Sequence, residues 1–112
     1  MVGFGVPVRG REKNTEKVFW EAVQLWTRLQ EAGTIQSWDA VFLEPHGGDL
    51  AGFFLIWGDH EAISRVRTSD DFVRLSSRAQ QIVENYGVVG AQRGSRIEAQ
   101  MGLFLESSDE LS

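Results

Sequence analysis

A carboxylate and an imidazole stand side by side once in this chain, at Asp59-His60. That pair is the first candidate for general acid–base chemistry, because a carboxylate can orient an imidazole that then moves a proton. Adjacent side chains seldom aim at one another, however. Asp59 also stands where it would cap a helix, so the competing reading of His60 is a surface histidine at a helix start. His46 lies in the turn Pro45-His46-Gly47-Gly48-Asp49. A His-Gly-Gly run can offer backbone N–H groups to a developing oxyanion. Hydrolases that use one also carry a Gly-x-Ser-x-Gly nucleophile turn, which this sequence lacks. An exposed turn histidine is the expectation there. Two histidines 14 positions apart, with no spaced carboxylate cluster and no cysteine, do not make a metal-ligating pattern.

The other chemistry-bearing residues are aromatic or basic. Trp26, Trp38, Trp57 and Tyr86 fall on apolar faces. Aromatics at helix or strand spacing usually build core. The functional alternative is a flat apolar pocket between sheet and helices, with Tyr86 or an indole N–H orienting a ligand. Ser37 and Asp39 interrupt an apolar strand and mark either its exposed outer end or a polar lining. Arg9, Arg11, Lys13 and Lys17 cluster around a helix start, where an anion can be received, or where bases are merely solvated. Arg93 and Arg96 form a second, weaker cluster. The candidate ligand-binding set is thus Trp26, Trp38, Trp57, Tyr86 and Asp39, and the candidate catalytic set His60, Asp59 and Tyr86.

The composition narrows the field. A chain of 112 residues fits one domain. A net charge of −5 argues against sequence-independent nucleic-acid binding. The absence of cysteine excludes disulfides and thiolate catalysis. No apolar stretch has signal-peptide form, and none approaches a membrane span, so cytoplasmic residence without membrane partners is the expectation. No cofactor is implied. Seven Phe and four Trp are a large aromatic load for this length and suggest a core that extends across a subunit interface.

These residues must be positioned by a definite series of elements. Alternation in residues 2–9 predicts a strand, with Pro7 at its end or at a bulge. Asn14 is the expected cap of a helix running to about Ala32 and stopped by Gly33. Its apolar stripe is Val18, Phe19, Ala22, Leu25, Trp26 and Leu29, and Trp20 points to the opposite, polar side. Residues 34–44 and 50–57 read as a hairpin that is apolar on both faces. A short helix is expected from His60 to about Arg67. A second follows, capped by Thr68 or Ser69, with Phe72, Leu75, Ala79, Ile82 and Val83 inward. Residues 86–92 read as the last strand. Residues 95–112 read as a helical tail opened by the capping-box sequence Ser95-Arg96-Ile97-Glu98. Its stripe of Ile97, Met101, Phe104 and Leu105 needs a surface, and Trp20, in the same subunit or a partner's, is the expected one.

The order strand-helix-strand-strand-helix-strand over residues 2–92 resembles the ferredoxin-like βαββαβ arrangement, an α+β fold with a four-stranded antiparallel sheet. With its two-sided hairpin and the Ser-Asp-Asp-Phe…Leu…Ala…Ile-Val segment from Ser69 to Val83, it is similar to the dimeric α/β-barrel superfamily. The resemblance implies a domain over 1–94 with the tail over 95–112, and a homodimer through the open sheet face. Haem-degrading members carry a histidine on the second long helix; residues 70–84 contain none. Cofactor-independent oxygenases use a tryptophan and an asparagine, and here no asparagine falls on a strand. Three functions are therefore expected in turn: a homodimer that binds a small apolar or aromatic molecule, a cofactor-independent monooxygenase or isomerase using the same pocket, and a purely structural dimerisation module.

Overall fold

The computed structural model describes residues 1–111; Ser112, the last residue of the expected tail, lies outside the described residues. The order is β1 (Val2–Phe4), α1 (Glu12–Glu31), β2 (Ser37–Phe42), β3 (Gly52–Trp57), α2 (His60–Thr68), α3 (Asp70–Gln80), β4 (Gly87–Val88) and α4 (Ser95–Leu111). The strands form one antiparallel sheet in the order β2-β3-β1-β4. The chain is thus an α+β protein, compatible with a ferredoxin-like fold. Among the described residues no helix is long and apolar enough to cross a membrane.

Register decides which side chains face the helices. Val2 pairs with both Phe54 and Val88, and Phe54 pairs with Ala40. Directly paired residues share a face, so Val2, Phe4, Trp38, Phe54, Ile56 and Val88 point one way. Against them pack Val18, Ala22, Leu25 and Trp26 of α1, Val66 of α2, and Phe72 and Leu75 of α3. Phe54 is the hub. Its ring lies 5.3 Å from that of Phe19, 6.0 Å from Phe4, 6.1 Å from Trp26 and 6.4 Å from Trp38. Val41, Phe53, Leu55 and Trp57 point the other way and are only partly buried.

Helix α1 begins at Glu12, earlier than expected, so Asn14 is a helix residue and not its cap. At the other end Gly33 takes φ +76°, and Gly33 N–H and Thr34 N–H donate to Gln30 and Leu29. That pair of bonds is the Schellman stop, which needs the left-handed conformation glycine adopts without strain. Ser69 caps α3, its hydroxyl accepting from Phe72 N–H at 3.3 Å. Asp59 starts α2 without a side-chain capping bond.

The first strand is shorter than the alternation predicts, because the chain changes partners after Phe4. Gly5 N–H donates to Glu84, Glu84 N–H to Val6, and Val8 N–H to Ile82. Pro7 bridges Val83 between those bonds, where its missing N–H leaves no gap in the ladder. Gly5 is required there, since a Cβ would stand 2.6 Å from the Glu84 carbonyl oxygen. Helix α3 ends at Gln80, so Ile82 is buried from the turn that follows it and Val83 from its bridge to Pro7, not from a helix face.

The tail differs most from expectation. Helix α4 forms, but every one of its residues is exposed, and Trp20 remains 54% exposed. Within its own chain the tail does not cover Trp20.

The hub makes a stability prediction. Phe54→Ala and Leu25→Ala should each lower the unfolding free energy by roughly 2–5 kcal/mol, as expected for emptied core positions. Trp20→Ala, on the same helix as Leu25, should change it by less than about 1 kcal/mol in the isolated chain. Urea titration followed by circular dichroism checks the contrast.

Candidate functional site

The largest cavity measures about 570 Å³ and opens at the end of the sheet where β3 hands over to α2. Its floor is the apolar core itself: Val2, Ile56 and Val88 from the strands, Trp26, Val66 and Phe72 from the helices. Its rim is polar and mostly basic. Asp59 and His60 come from the start of α2, Arg67 from its last turn, Arg93 from the segment that leads into α4 and Arg96 from the first turn of α4. The rim is closed on one side by the Arg93 guanidinium, which sits 4.1 Å from the centroid of the Trp57 indole. That is cation–π contact, which orients the arginine while leaving its N–H donors at the edge of the cavity.

Local sequence explains the arrangement. β3 ends at Trp57, and Gly58 follows it packed closely on Ile63 and the Ile35 backbone. The turn into α2 follows at once and places Asp59 and His60 on the rim. Val89, Gly90 and Ala91 then cross the cavity with small side chains. Met1 N–H₃⁺ donates to the Val89 carbonyl at 2.6 Å and helps hold that crossing. Burial, and then the charge of Arg67, lowers the pKa of this amino group. The Arg67 charge therefore acts on the Met1 amino group at this rim.

Trp26 supplies an unsatisfied group. It is 1% exposed, it lines the cavity, and among the described residues its Nε1–H has no acceptor. A buried donor left unpaired costs roughly 1–3 kcal/mol.

The expected site residues divide. Trp26, Trp57, Asp59 and His60 meet at this cavity. Trp38 does not: it packs over Phe54 in the core. Asp39 is exposed on the open side of the edge strand, away from the cavity. Tyr86 lines a separate space of about 60 Å³, room for a few waters, between α1, α3 and the sheet. Its hydroxyl is 2.6 Å from that of Ser76. Burial raises its pKa above the usual 10.0, and the Ser76 bond partly opposes that shift. His46 is tied into its own turn. Its Nδ1 accepts from Gly48 N–H at 3.2 Å, so Nε2 carries the proton and donates to the Leu50 carbonyl at 2.8 Å.

At the first basic cluster, Glu12 fills the anion's place, its carboxylate accepting from Gly10 N–H at 3.3 Å. Arg67 is the rim residue that sequence reasoning missed. It follows the apolar stripe of α2 by one position and carries no local signal, and only the fold brings it opposite Arg93 and Arg96. Among the described residues no group of three or more His, Asp or Glu side chains is placed to hold a metal ion.

Compared with family models, with curated proteins and with solved structures, the chain matches none. The site is therefore read from its own geometry.

Tyr86 carries the pH prediction. With its pKa raised in the folded chain, the unfolded chain loses the phenolic proton first. Stability is then intact below the usual phenol value and falls as pH climbs through the folded one. Urea midpoints at about pH 8 and pH 10.5 should fall less in Tyr86→Phe than in the parent chain.

Proposed function

We propose that this chain binds a small, flat, largely apolar molecule bearing one anionic group, held in the cavity between β3, α2 and residues 89–96. The observation that carries the reading is the pairing, in one space of about 570 Å³, of an apolar floor with a rim of three arginines. The volume lies within the roughly 300–1,000 Å³ usual for ligand sites, and few but convergent polar groups are what fix a ligand's orientation there. The anion would meet Arg67, Arg93 and Arg96. The apolar body would lie over Val2, Ile56 and Val88, with the Trp26 Nε1–H free to donate to it. Asp59 and His60 enter as rim residues that shape the entrance. A cofactor-independent oxygenase or isomerase would use the same cavity; turnover of quinol-like substrates without added metal or flavin separates it from a binder.

The test uses anilinonaphthalene sulfonate, an apolar fluorophore with one negative charge. Saturable one-to-one binding that quenches tryptophan emission is expected. Arg93→Gln or Arg67→Gln should weaken it about three- to tenfold, corresponding to about 1 kcal/mol per lost contact. Ile63→Trp, which fills the cavity from α2, should abolish it. Phe104→Glu should leave it unchanged, since that residue lies on α4 away from the cavity. Binding that survives Ile63→Trp, or that follows Phe104 instead, overturns the reading.

A second reading concerns assembly. Val41, Phe53, Leu55 and Trp57 share the face that no helix covers, and each is only partly buried. This supports a homodimer in which two such faces pack together, the arrangement of the dimeric α/β-barrel superfamily that the element order resembles. Leu55→Glu should then lower the association state in sedimentation equilibrium, and a parent chain that is monomeric at micromolar concentration counts against it.

A further inference from the structure

Two apolar surfaces lie bare on this chain, and they match. The first is an aromatic patch where α1 meets the edge strand. Phe42 is 69% exposed and Trp20 54%. Phe19 joins them, its ring 5.4 Å from Phe42 and 5.5 Å from Trp20. The second is α4, exposed along its whole length. Ile97, Met101, Phe104 and Leu111 recur there at steps of three, four and seven, a single stripe on the helix. A helix of 17 residues with Gly102 inside it is marginal unless its stripe is packed against something.

The charges around the two surfaces are opposite. Helix α4 carries Glu98, Glu106 and Glu110 against a single base, Arg96. Lys13 and Lys17 precede Trp20 on its own side of α1, at helical spacings of seven and three, with Glu16 between them at a spacing of four and Arg9 and Arg11 just before the helix. Among the described residues neither lysine is ion-paired. An acidic amphipathic helix fits an aromatic patch rimmed by lysines, in apolar contact and in charge.

Within one chain the tail leaves this patch bare: every residue of α4 is exposed, and so are Trp20 and Phe42. Helix α4 leaves the body beside Trp57, where Arg93 is stacked. Trp57 pairs with Ser37 at one end of the hairpin, whereas Phe42 pairs with Gly52 at the other. Five residues of strand, about 17 Å at 3.4 Å per residue, separate the two ends. We propose that α4 of one chain docks on the Trp20–Phe19–Phe42 patch of a second copy, so that two chains exchange their C-terminal helices. In a two-fold pair the contact forms twice, once for each tail. The contact leaves the cavity floor and the open sheet face free, and Arg96, in the first turn of α4, belongs to both the docking helix and the cavity rim.

The absence of native cysteine makes a direct test possible. Lys17→Cys and Met101→Cys are placed in separately tagged full-length chains, mixed at micromolar concentration and oxidised. A disulfide joining the two tagged chains is expected, and its yield should drop severalfold in a Trp20→Glu or Phe104→Glu background. Both of those positions are exposed, so the variants should keep the parent's cooperative unfolding, which circular dichroism verifies. Failure to form the mixed product overturns the proposal. So does a mixed product insensitive to both charge substitutions. In a chain carrying both cysteines, a disulfide that closes within one chain at high dilution and forms no two-chain product would also overturn it, by assigning the patch to the chain's own tail.

Discussion

The packing of Phe54 against Trp26, Phe19, Phe4 and Trp38 is the contact on which the rest of this small protein depends. Phe54 lies on the strand next to the edge strand β2, and its ring is met from α1 and from both neighbouring strands. Such a cluster does more than bury area. Ring pairs at these separations prefer tilted or offset geometries, so each ring restricts the next. Trp26 is thereby fixed with its indole against the sheet, and Phe72 of α3 meets its other side at 5.9 Å. The inner wall of the cavity is made of side chains whose rotamers the core has already chosen.

The two ends of the sheet are finished differently. At the end near Phe4, the chain trades strand partners: residues 5–8 pair with 82–84 and seal the core beneath α1 and α3. At the end near Trp57, β3 and β4 stop short and no element crosses behind them except the small residues 89–91. Space is left there, and the arginines that edge it come from α2, from the approach to α4 and from the first turn of α4. An apolar floor with a basic rim is what remains when the aromatic core is closed at one end and not at the other.

Aromatic content also explains the surfaces left bare. A chain in which 11% of residues are aromatic carries more ring area than one small core can enclose. Part of it emerges as the Phe42–Trp20 patch, part as Trp57 beneath Arg93, and part as Phe53 on the open face. Exposed rings flanked by lysine stand on one element, and an apolar helix rich in glutamate on another.

How much of this was legible in the sequence depends on the range of the interaction. Features set within a few residues could be read: the stripe of α1, the Gly33 stop, the Ser69 cap, the hairpin, the presence of α4, and the placement of Pro7 outside a central ladder. Each is decided by local backbone chemistry or by a short periodicity. Features set by pairing between distant segments could not. The split of the first strand and the brevity of the last one both follow from residues 5–8 meeting 82–84, a choice no local pattern announces. The candidate site divides along the same line. Trp26, Trp57, Asp59 and His60 were visible by residue type, but so were Trp38, Asp39 and Tyr86, and only register and helix packing sort the two groups, because neighbouring residues on a strand face opposite sides of a sheet. Arg67 has no sequence signal at all. It sits at the rim because α2 crosses the end of the sheet at that point, and the tertiary structure alone sets three arginines from two separate segments around one apolar space.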